Sequence, residues 1–375
     1  MSYIISEDGK ELLKDVRDFC VNEVKEQVKE YDISGEWPKE IYDKAIEMQL
    51  HMMDVPEEYG GLGLDHIDQA AIVEQIAWAD AGVAVTLNGN GLALKPVLLA
   101  GNEEQKQKCC DIIINGGFGS FALTEPNAGC DAGAGKTTAV REGDEYVLNG
   151  RKCFITNASV AVVTAMTAKD QGTKGISAFL VYKGTPGLSV GNHENKMGIR
   201  CSTTSDVLLE DVRIPAENRL GEEGTGFITA MKTLDLARTW CAAIGVGVAQ
   251  RCIDEAVAYS KQRVQFGKPI SKNQAIQFKI ADMEIRTEAS RQLIAHSIRL
   301  ADMGLPFSKE SAAAKCFTGD SVMQTAIDAV QILGGYGYSR EYPVEKLMRD
   351  AKIFQIFEGT NEIQRMVVGR AVIGK

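Results

Sequence analysis

Glu145-Tyr146-Val147-Leu148-Asn149-Gly150-Arg151-Lys152-Cys153-Phe154-Ile155-Thr156 is the stretch on which the reading of the fold turns. β-favouring residues stand on both sides of Asn149-Gly150, a dipeptide that tolerates the positive φ angles of a tight hairpin turn. The run therefore predicts strands at 145–148 and 153–156 joined by that turn. Similar runs stand at 120–124, 161–166, 176–182 and 207–214, and Gln171-Gly172-Thr173-Lys174-Gly175 reads as a loop between two of them. Short strands at this density over about 100 residues predict a small antiparallel barrel or sandwich.

The texture on either side is helical. Leu12, Val16, Cys20 and Val24 recur every four residues, with Phe19 beside them, and make one face of a helix. Pro56-Glu57-Glu58-Tyr59-Gly60-Gly61-Leu62-Gly63 reads as a loop, and helical signal resumes at 68–80 and 92–99. Beyond Gly226, Leu293, Ile294 and Ile298 mark another helical stripe, and Pro306 with Ser308 separates two helices. The expected class is α+β: a helical domain at 1–118, a β domain at 119–225 and a helical domain at 226–375.

The 375 residues carry 41 basic and 51 acidic side chains, a net charge of −10. An acidic surface argues against nucleic acid and against an anionic membrane as partners. No stretch looks close to the roughly 20 apolar residues of a membrane span, and Met1-Ser2-Tyr3-Ile4-Ile5 lacks a basic leader. The nine cysteines include no Cys-x-x-Cys pair, so reduced thiols and a cytoplasmic location are expected. Four scattered histidines, 51, 66, 193 and 296, supply no metal-ligand spacing.

Six segments carry chemistry. Phe121-Ala122-Leu123-Thr124-Glu125-Pro126-Asn127-Ala128-Gly129-Cys130-Asp131 runs from a strand into small residues, which let backbone N–H groups approach an anionic or carbonyl-rich ligand. Alternation places Phe154 and Thr156 on one strand face, an aromatic wall beside a hydroxyl. Arg263-Val264-Gln265-Phe266-Gly267-Lys268-Pro269-Ile270 is an exposed tip bearing a guanidinium suited to phosphate. Gln331-Ile332-Leu333-Gly334-Gly335-Tyr336-Gly337-Tyr338 offers an amide and open backbone, and follows a helix, so it is no Rossmann turn. In Phe357-Glu358-Gly359-Thr360-Asn361-Glu362, Glu358 sits between an aromatic residue and a glycine ahead of a helical pattern, where apolar surroundings tune a carboxylate as a proton acceptor. Asp235 and Arg238 share one side of a helix. Taken singly, the first segment reads equally as a strand-to-loop junction, and the others read more simply as strand core, a glycine cap, a surface ion pair and a helix-terminal carboxylate.

In this order and spacing the segments resemble the acyl-CoA dehydrogenase family of flavoproteins over nearly the whole chain, and within it the short-chain, butyryl-CoA-type enzymes of bacteria. The resemblance implies subunits ending in a four-helix-bundle domain, FAD as cofactor, a homotetramer built as a dimer of dimers, and electron-transferring flavoprotein as redox partner. It puts the flavin against Phe121, Leu123, Thr124, Gly129, Cys130, Phe154 and Thr156, with Thr360 and Glu362. Across a subunit interface it gives the diphosphate and adenosine half to Arg263, Gln265, Phe266, Gln331, Gly334 and Gly335. Substrate contacts fall to Cys130, Asp235, Arg238, Phe357 and Gly359.

Glu358 is the implied base, removing the pro-R α-proton of an acyl-CoA thioester while the β-hydride passes to flavin N5. Isovaleryl-type relatives carry the base on a helix where this chain has Ala237, so the role falls to Glu358. Three positions depart from the family pattern: Cys130 replaces a usual serine, Phe154 a frequent tryptophan and Phe357 a usual tyrosine. Thr86-Leu87-Asn88-Gly89-Asn90-Gly91-Leu92 resembles the floor of the acyl pocket, its two glycines suggesting room, with Trp240 and Cys241 on the other side. A short linear acyl chain is the first expectation. A reductase of enoyl- or aryl-acrylyl-CoA in stable complex with electron-transferring flavoprotein, and a non-enzymatic helical scaffold, are the alternatives.

Overall fold

The computed structural model describes residues 3–158 and 160–374; Met1 and Ser2 of the N-terminal run lie outside them. Val16, Cys20 and Val24 are fully buried and Phe19 nearly so. The four-residue spacing thus makes one core-facing stripe, through α1 (Glu7–Phe19), a π turn (Cys20–Val24) and α2 (Lys25–Ser34). After α3 (Lys39–Glu47) come α4 (His66–Ala79), α5 (Ala81–Ala100) and α6 (Glu103–Ile114). The signal at 68–80 is α4, whereas 92–99 is only the end of α5. Gly82, Gly89 and Gly91 depress helix propensity there, yet most of α5 is buried and tertiary packing overrides it. α5 also corrects the expectation that no stretch approaches span length. By length and composition it could cross a membrane, but 67% of the qualifying window is buried inside the protein.

The sheet comprises β1 (Gly119–Ala122), β2 (Thr138–Glu142), β3 (Glu145–Thr156), β4 (Val160–Met166), β5 (Ile176–Val181), β6 (Leu188–His193), β7 (Thr204–Pro215) and β8 (Arg219–Leu220). Their order is β6-β7-β3-β2-β4-β5-β8, with β1 added on β4. Neighbours are antiparallel except that β1 and β2 run parallel to β4.

Asn149-Gly150 is not a turn. It lies inside β3, which is continuous, and the β2–β3 connection is Gly143-Asp144. Asn149 spends its amide across the sheet: Nδ2 donates to Asp211 Oδ1 at 2.9 Å and Oδ1 accepts from the Asp211 N–H at 2.9 Å. Gly150 is there for close approach, since a Cβ would fall 2.4 Å from Thr137 Oγ1. Opposite this pair the ladder to β7 shifts register, so a local sequence signal for turning is used to make a bulge.

The remaining elements are α7 (Gly226–Gln262), a hairpin of β9 (Val264–Gln265) and β10 (Lys268–Pro269), α8 (Gln274–Asp302), α9 (Ser308–Leu333), α10 (Val344–Ala351) and α11 (Asn361–Ile373). α7, α8 and α9 pack on one another, α11 lies on α9, and α4 and α5 lie against α7. One apolar core therefore runs from Tyr3 to Phe354 through both helical parts, while the sheet keeps its own around Tyr146 and Phe179. Lys346 links these layers. Its ammonium donates to Asp80 at the start of α5 (2.6 Å) and to Asp350 on α10 (2.5 Å), and Asp350 accepts the N–H of Ile199 at 2.6 Å.

Candidate active site

Between α10 and α11 the chain makes a short 3-10 turn, Lys352–Gln355, and then reverses. Glu358 has φ 53° and Gly359 φ 88°. A left-handed glutamate costs about 1–2 kcal/mol, so its surroundings must hold it. Gln364, fully buried on α11, donates from Nε2 to the carbonyls of Glu358 (3.0 Å) and Gly359 (2.9 Å). Lys315, buried on α9, donates to Gly359 O at 2.7 Å and Asn361 Oδ1 at 3.1 Å. Thr360 caps α11, its hydroxyl accepting from the Ile363 N–H at 3.4 Å.

This loop points the Glu358 carboxylate inward. Its Oε2 is buried and has no hydrogen-bond partner. Burial raises the carboxyl to about 7, against the opposing charges of Lys315, Lys95 and Arg238. A carboxyl poised near neutrality in a closed site is the signature of a general base or acid.

Three helices surround it. From α7 come Ala237, Arg238 and Cys241, all buried; the Cys241 thiol is pushed up by burial and by the Glu358 charge. Asp235 and Arg238 are ion-paired and Ser308 donates to Asp235 at 2.9 Å. The pair is no surface feature: Arg238 is 5% exposed and its Nε lacks a partner. From α5, Lys95 pairs with Asp54 at 2.5 Å and stands 5.6 Å from the Trp240 ring centre.

The glycines of α5 do not leave room. A Cβ on Gly91 would meet the Asp54 carboxylate at 2.1 Å, and one on Gly89 the Asn157 amide at 2.8 Å. The expectation of a roomy floor is thereby corrected, because side chains from neighbouring segments fill the space.

The sheet supplies the facing wall. Phe154 has φ 58° and is 66% exposed, Ile155 is buried and Thr156 half-buried, so Phe154 and Thr156 do share the open face. A register shift between Lys152 and Ile155 turns them outward. The loop after β1 is tied to this strand, with Cys153 N–H donating to Thr124 O at 2.9 Å. Beneath it the buried Lys152 ammonium reaches Glu125 (2.8 Å), Leu123 O (3.1 Å) and Thr164 (3.2 Å). Glu125 also takes the N–H groups of Lys136 (2.6 Å) and Thr137 (3.1 Å). Burial alone would raise the Glu125 carboxyl; Lys152 and these donors pull it below its ordinary value.

Phe121, Leu123 and Thr124 stay half-buried along this edge, while Gly129 and Cys130 are exposed, with open space beside Gly129. Cys130 Sγ lies 3.7 Å from Thr360 Oγ1, so two motifs separated by most of the chain meet. Phe357 packs edge-on against Phe354, ring centres 5.4 Å apart. Glu362 faces solvent.

The remaining named residues form a second, outer site. Arg263, Gln265, Gly334 and Gly335 line one cavity of about 640 Å³ with Tyr259 and Tyr336. The Arg263 guanidinium stands 5.6 Å from the Tyr336 ring centre. Phe266 and Gly267 both have positive φ at the β9–β10 turn, the geometry of a tight two-residue hairpin, and Phe266 is 97% exposed. Gln331 lies exposed in the last turn of α9, 16 residues beyond Lys315, so about 24 Å along the helix separates this site from the base loop.

The sequence reading passed over Lys152, Glu125, Lys315, Gln364 and Lys95. Lys95 and Lys315 stand in otherwise apolar stretches while Lys152, Glu125 and Gln364 have polar neighbours, and neither pattern identifies a site residue until its burial is known.

A buried, unpartnered carboxylate oxygen held by left-handed backbone, in a loop joined through Thr360 and Cys130 to the edge of the sheet, is an arrangement suited to proton transfer. The chain matches the models of the acyl-CoA dehydrogenase N-terminal domain over residues 6–117, the middle domain over 120–212 and the C-terminal domain over 224–373. It belongs to the acyl-CoA dehydrogenase family. Among its relatives, the caffeyl-CoA reductase-Etf complex subunit CarC of Acetobacterium woodii is 44% identical over 99% of each chain. The structure of butyryl-CoA dehydrogenase from Megasphaera elsdenii is 44% identical, covers 100% of both chains and superposes with a TM-score of 0.96. That of an acyl-CoA dehydrogenase complexed with FAD from Bacillus anthracis is 37% identical, with a TM-score of 0.91 over 100% of this chain and 69% of that one.

Proposed function

We propose that this protein is an FAD-dependent enzyme that interconverts a short acyl-CoA thioester and its 2-enoyl counterpart, exchanging electrons with electron-transferring flavoprotein. The observation that carries the reading is Glu358: an unpartnered, buried carboxylate oxygen with its titration raised to about 7. The residues present fit a flavin. Phe154 offers an uncovered aromatic face beside the Thr156 hydroxyl, and Gly129 leaves open space in a loop of small residues joined to the base loop through Cys130 and Thr360. Phe121, Leu123 and Thr124 line that edge, and Thr360 and Glu362 adjoin it at the start of α11.

The bound flavin supplies the acceptor or donor for the hydride at the β-carbon. The chain supplies the rest. The Glu358 carboxylate removes the α-proton, and the Glu358 N–H stabilises the charge that develops on the thioester oxygen. Phe357 and Gly359 border the acyl group, Asp235 and Arg238 face the CoA arm, and the filled glycines of α5 favour a short acyl chain. Arg263, Gln265, Phe266, Gln331, Gly334 and Gly335 hold the diphosphate and adenosine end of a partner subunit's FAD. Phe266, at 97% exposure, supports burial in such an assembly, which we take to be a homotetramer.

The test is anaerobic bleaching of the flavin by saturated short-chain acyl-CoA. Glu358→Gln is expected to retain FAD and bind thioester but to bleach at a small fraction of the wild-type rate; wild-type bleaching would sink the assignment. The likeness to CarC favours a second reading, reduction of an aryl-substituted enoyl-CoA in a lasting complex with electron-transferring flavoprotein. Purification from the native cell separates them, because two further subunits co-elute under that reading.

A further inference from the structure

The charges facing Glu358 come from three elements: Lys95 on α5, Arg238 with the Cys241 thiol on α7, and Lys315 on α9. They are not equivalent. Lys95 is ion-paired with Asp54 and Arg238 with Asp235, so each cation's field is offset by a carboxylate beside it. Lys315 is 1% exposed, and its hydrogen-bond partners are neutral oxygens, Gly359 O at 2.7 Å and Asn361 Oδ1 at 3.1 Å. Among the described residues it has no ion pair. A buried ammonium without a carboxylate partner is costly to keep, and the carbonyl it holds belongs to the residue after the base.

We propose that Lys315 is a positioning residue for the base: its buried ammonium anchors the Glu358 loop and is the counter-charge that lets Glu358 work ionised. The proposal rests on Glu358 being the base and adds how that role is sustained in a closed site. Burial alone favours the neutral carboxyl. A cation behind the loop restores the charged form without entering the substrate's space. The same ammonium bonds Gly359 O and so holds the left-handed turn that aims the carboxylate.

The test compares Lys315→Met, Lys315→Gln and Lys315→Arg as FAD-loaded enzymes. The acid limb of flavin bleaching against pH is followed, together with the protonated-carboxyl infrared band assigned by its loss in Glu358→Gln. Met and Gln are expected to move both the limb and the band upward by about one to two pH units, slowing bleaching about five- to fifty-fold at pH 7 with recovery in alkali. Arg is expected to leave them near wild type. The proposal is overturned if the limb stays in place in the Met variant or, should that variant fail to load FAD, in the Gln variant. Full rescue by Gln overturns the charge role as well, since it keeps a donor and no charge. If Glu358→Gln itself bleaches normally, the underlying base assignment fails, whatever Lys315 does.

Discussion

The inner and outer sites are built on opposite terms. Around Glu358 every constraint comes from the same chain: Gln364 and Lys315 hold the loop, Lys152 and Glu125 hold the facing wall, and Cys130 touches Thr360. Around Arg263 the side chains stand in solvent, with Phe266 at 97% exposure and nothing within 4 Å of a Cβ on Gly334 or Gly335. The first site is held by buried side chains of its own, and the second presents exposed side chains around open space. Preorganised chemistry needs the former, whereas a clamp for the far end of a cofactor tolerates the latter.

The largest expected effect falls on the inner site. Replacing Glu358 by Gln should slow α-proton removal by about 10²–10⁴-fold, the range for loss of a general base, at every protein concentration. The same variant should be the more stable protein. The Glu358 carboxyl binds its proton more tightly in the folded chain, at about 7, than an ordinary glutamate does at 4.5. That contribution is complete below pH 4.5 and lost as pH rises through 7, where the buried charge costs about 3 kcal/mol. Denaturant melts at pH 8 should therefore favour Glu358→Gln, and the advantage should vanish in acid. Equal melts at both pH values would remove the case for a strained, functional carboxylate.

Next comes the wall. Lys152→Met leaves Glu125 as an uncompensated buried charge, which costs about 3–5 kcal/mol. Urea unfolding should show that loss, and flavin retention should fall with it because Leu123 O and the Glu125 carboxylate lose their common donor. Little change in either would mean that the sheet side is not preorganised by this pair, and the contrast between the two sites would narrow.

Arg263→Ala tests the outer site and should behave differently in kind. If the clamp works across an interface, FAD release should accelerate on dilution, and the folding midpoint of the flavin-free chain should move by less than about 0.5 kcal/mol, as for an exposed residue. A concentration-independent loss of flavin would place the clamp and the base in one subunit's site instead.

How much of this was legible follows the same division. The segments proposed for both sites stood out because each is a local run: Phe154 with Thr156, Arg263 to Ile270, Phe357 to Glu362. The strands missed at Thr138–Glu142 and Leu188–His193 are short and rich in polar residues, and Asn149-Gly150 suggested a turn because the signal for positive φ and tight approach is the same whether a chain reverses or bulges. Gly89 and Gly91 looked like space because nothing local says that Asn157 and Asp54 fill it. Lys315 could not be read at all. Its function depends on Gly359, 44 positions away, and a lysine on a helix is ordinarily a solvated one.

The smallest effects compare glycine with glycine. Gly359 and Gly334 both have positive φ, 88° and 61°, so alanine at either carries a backbone penalty of at least about 1–2 kcal/mol, the larger at Gly334, whose ψ of −135° lies outside the left-handed helical well. At Gly334 that should be all, because the new methyl enters open space. At Gly359 the methyl would stand 2.7 Å from Gln364 Nε2, the donor that holds both carbonyls of the turn. Gly359→Ala should therefore lose stability beyond the backbone term and also bleach flavin more slowly at saturating acyl-CoA, while Gly334→Ala keeps its rate once FAD is supplied in excess. Equal behaviour of the two would show that the Glu358 turn has slack, and a base with slack would not need the buried donors that surround it.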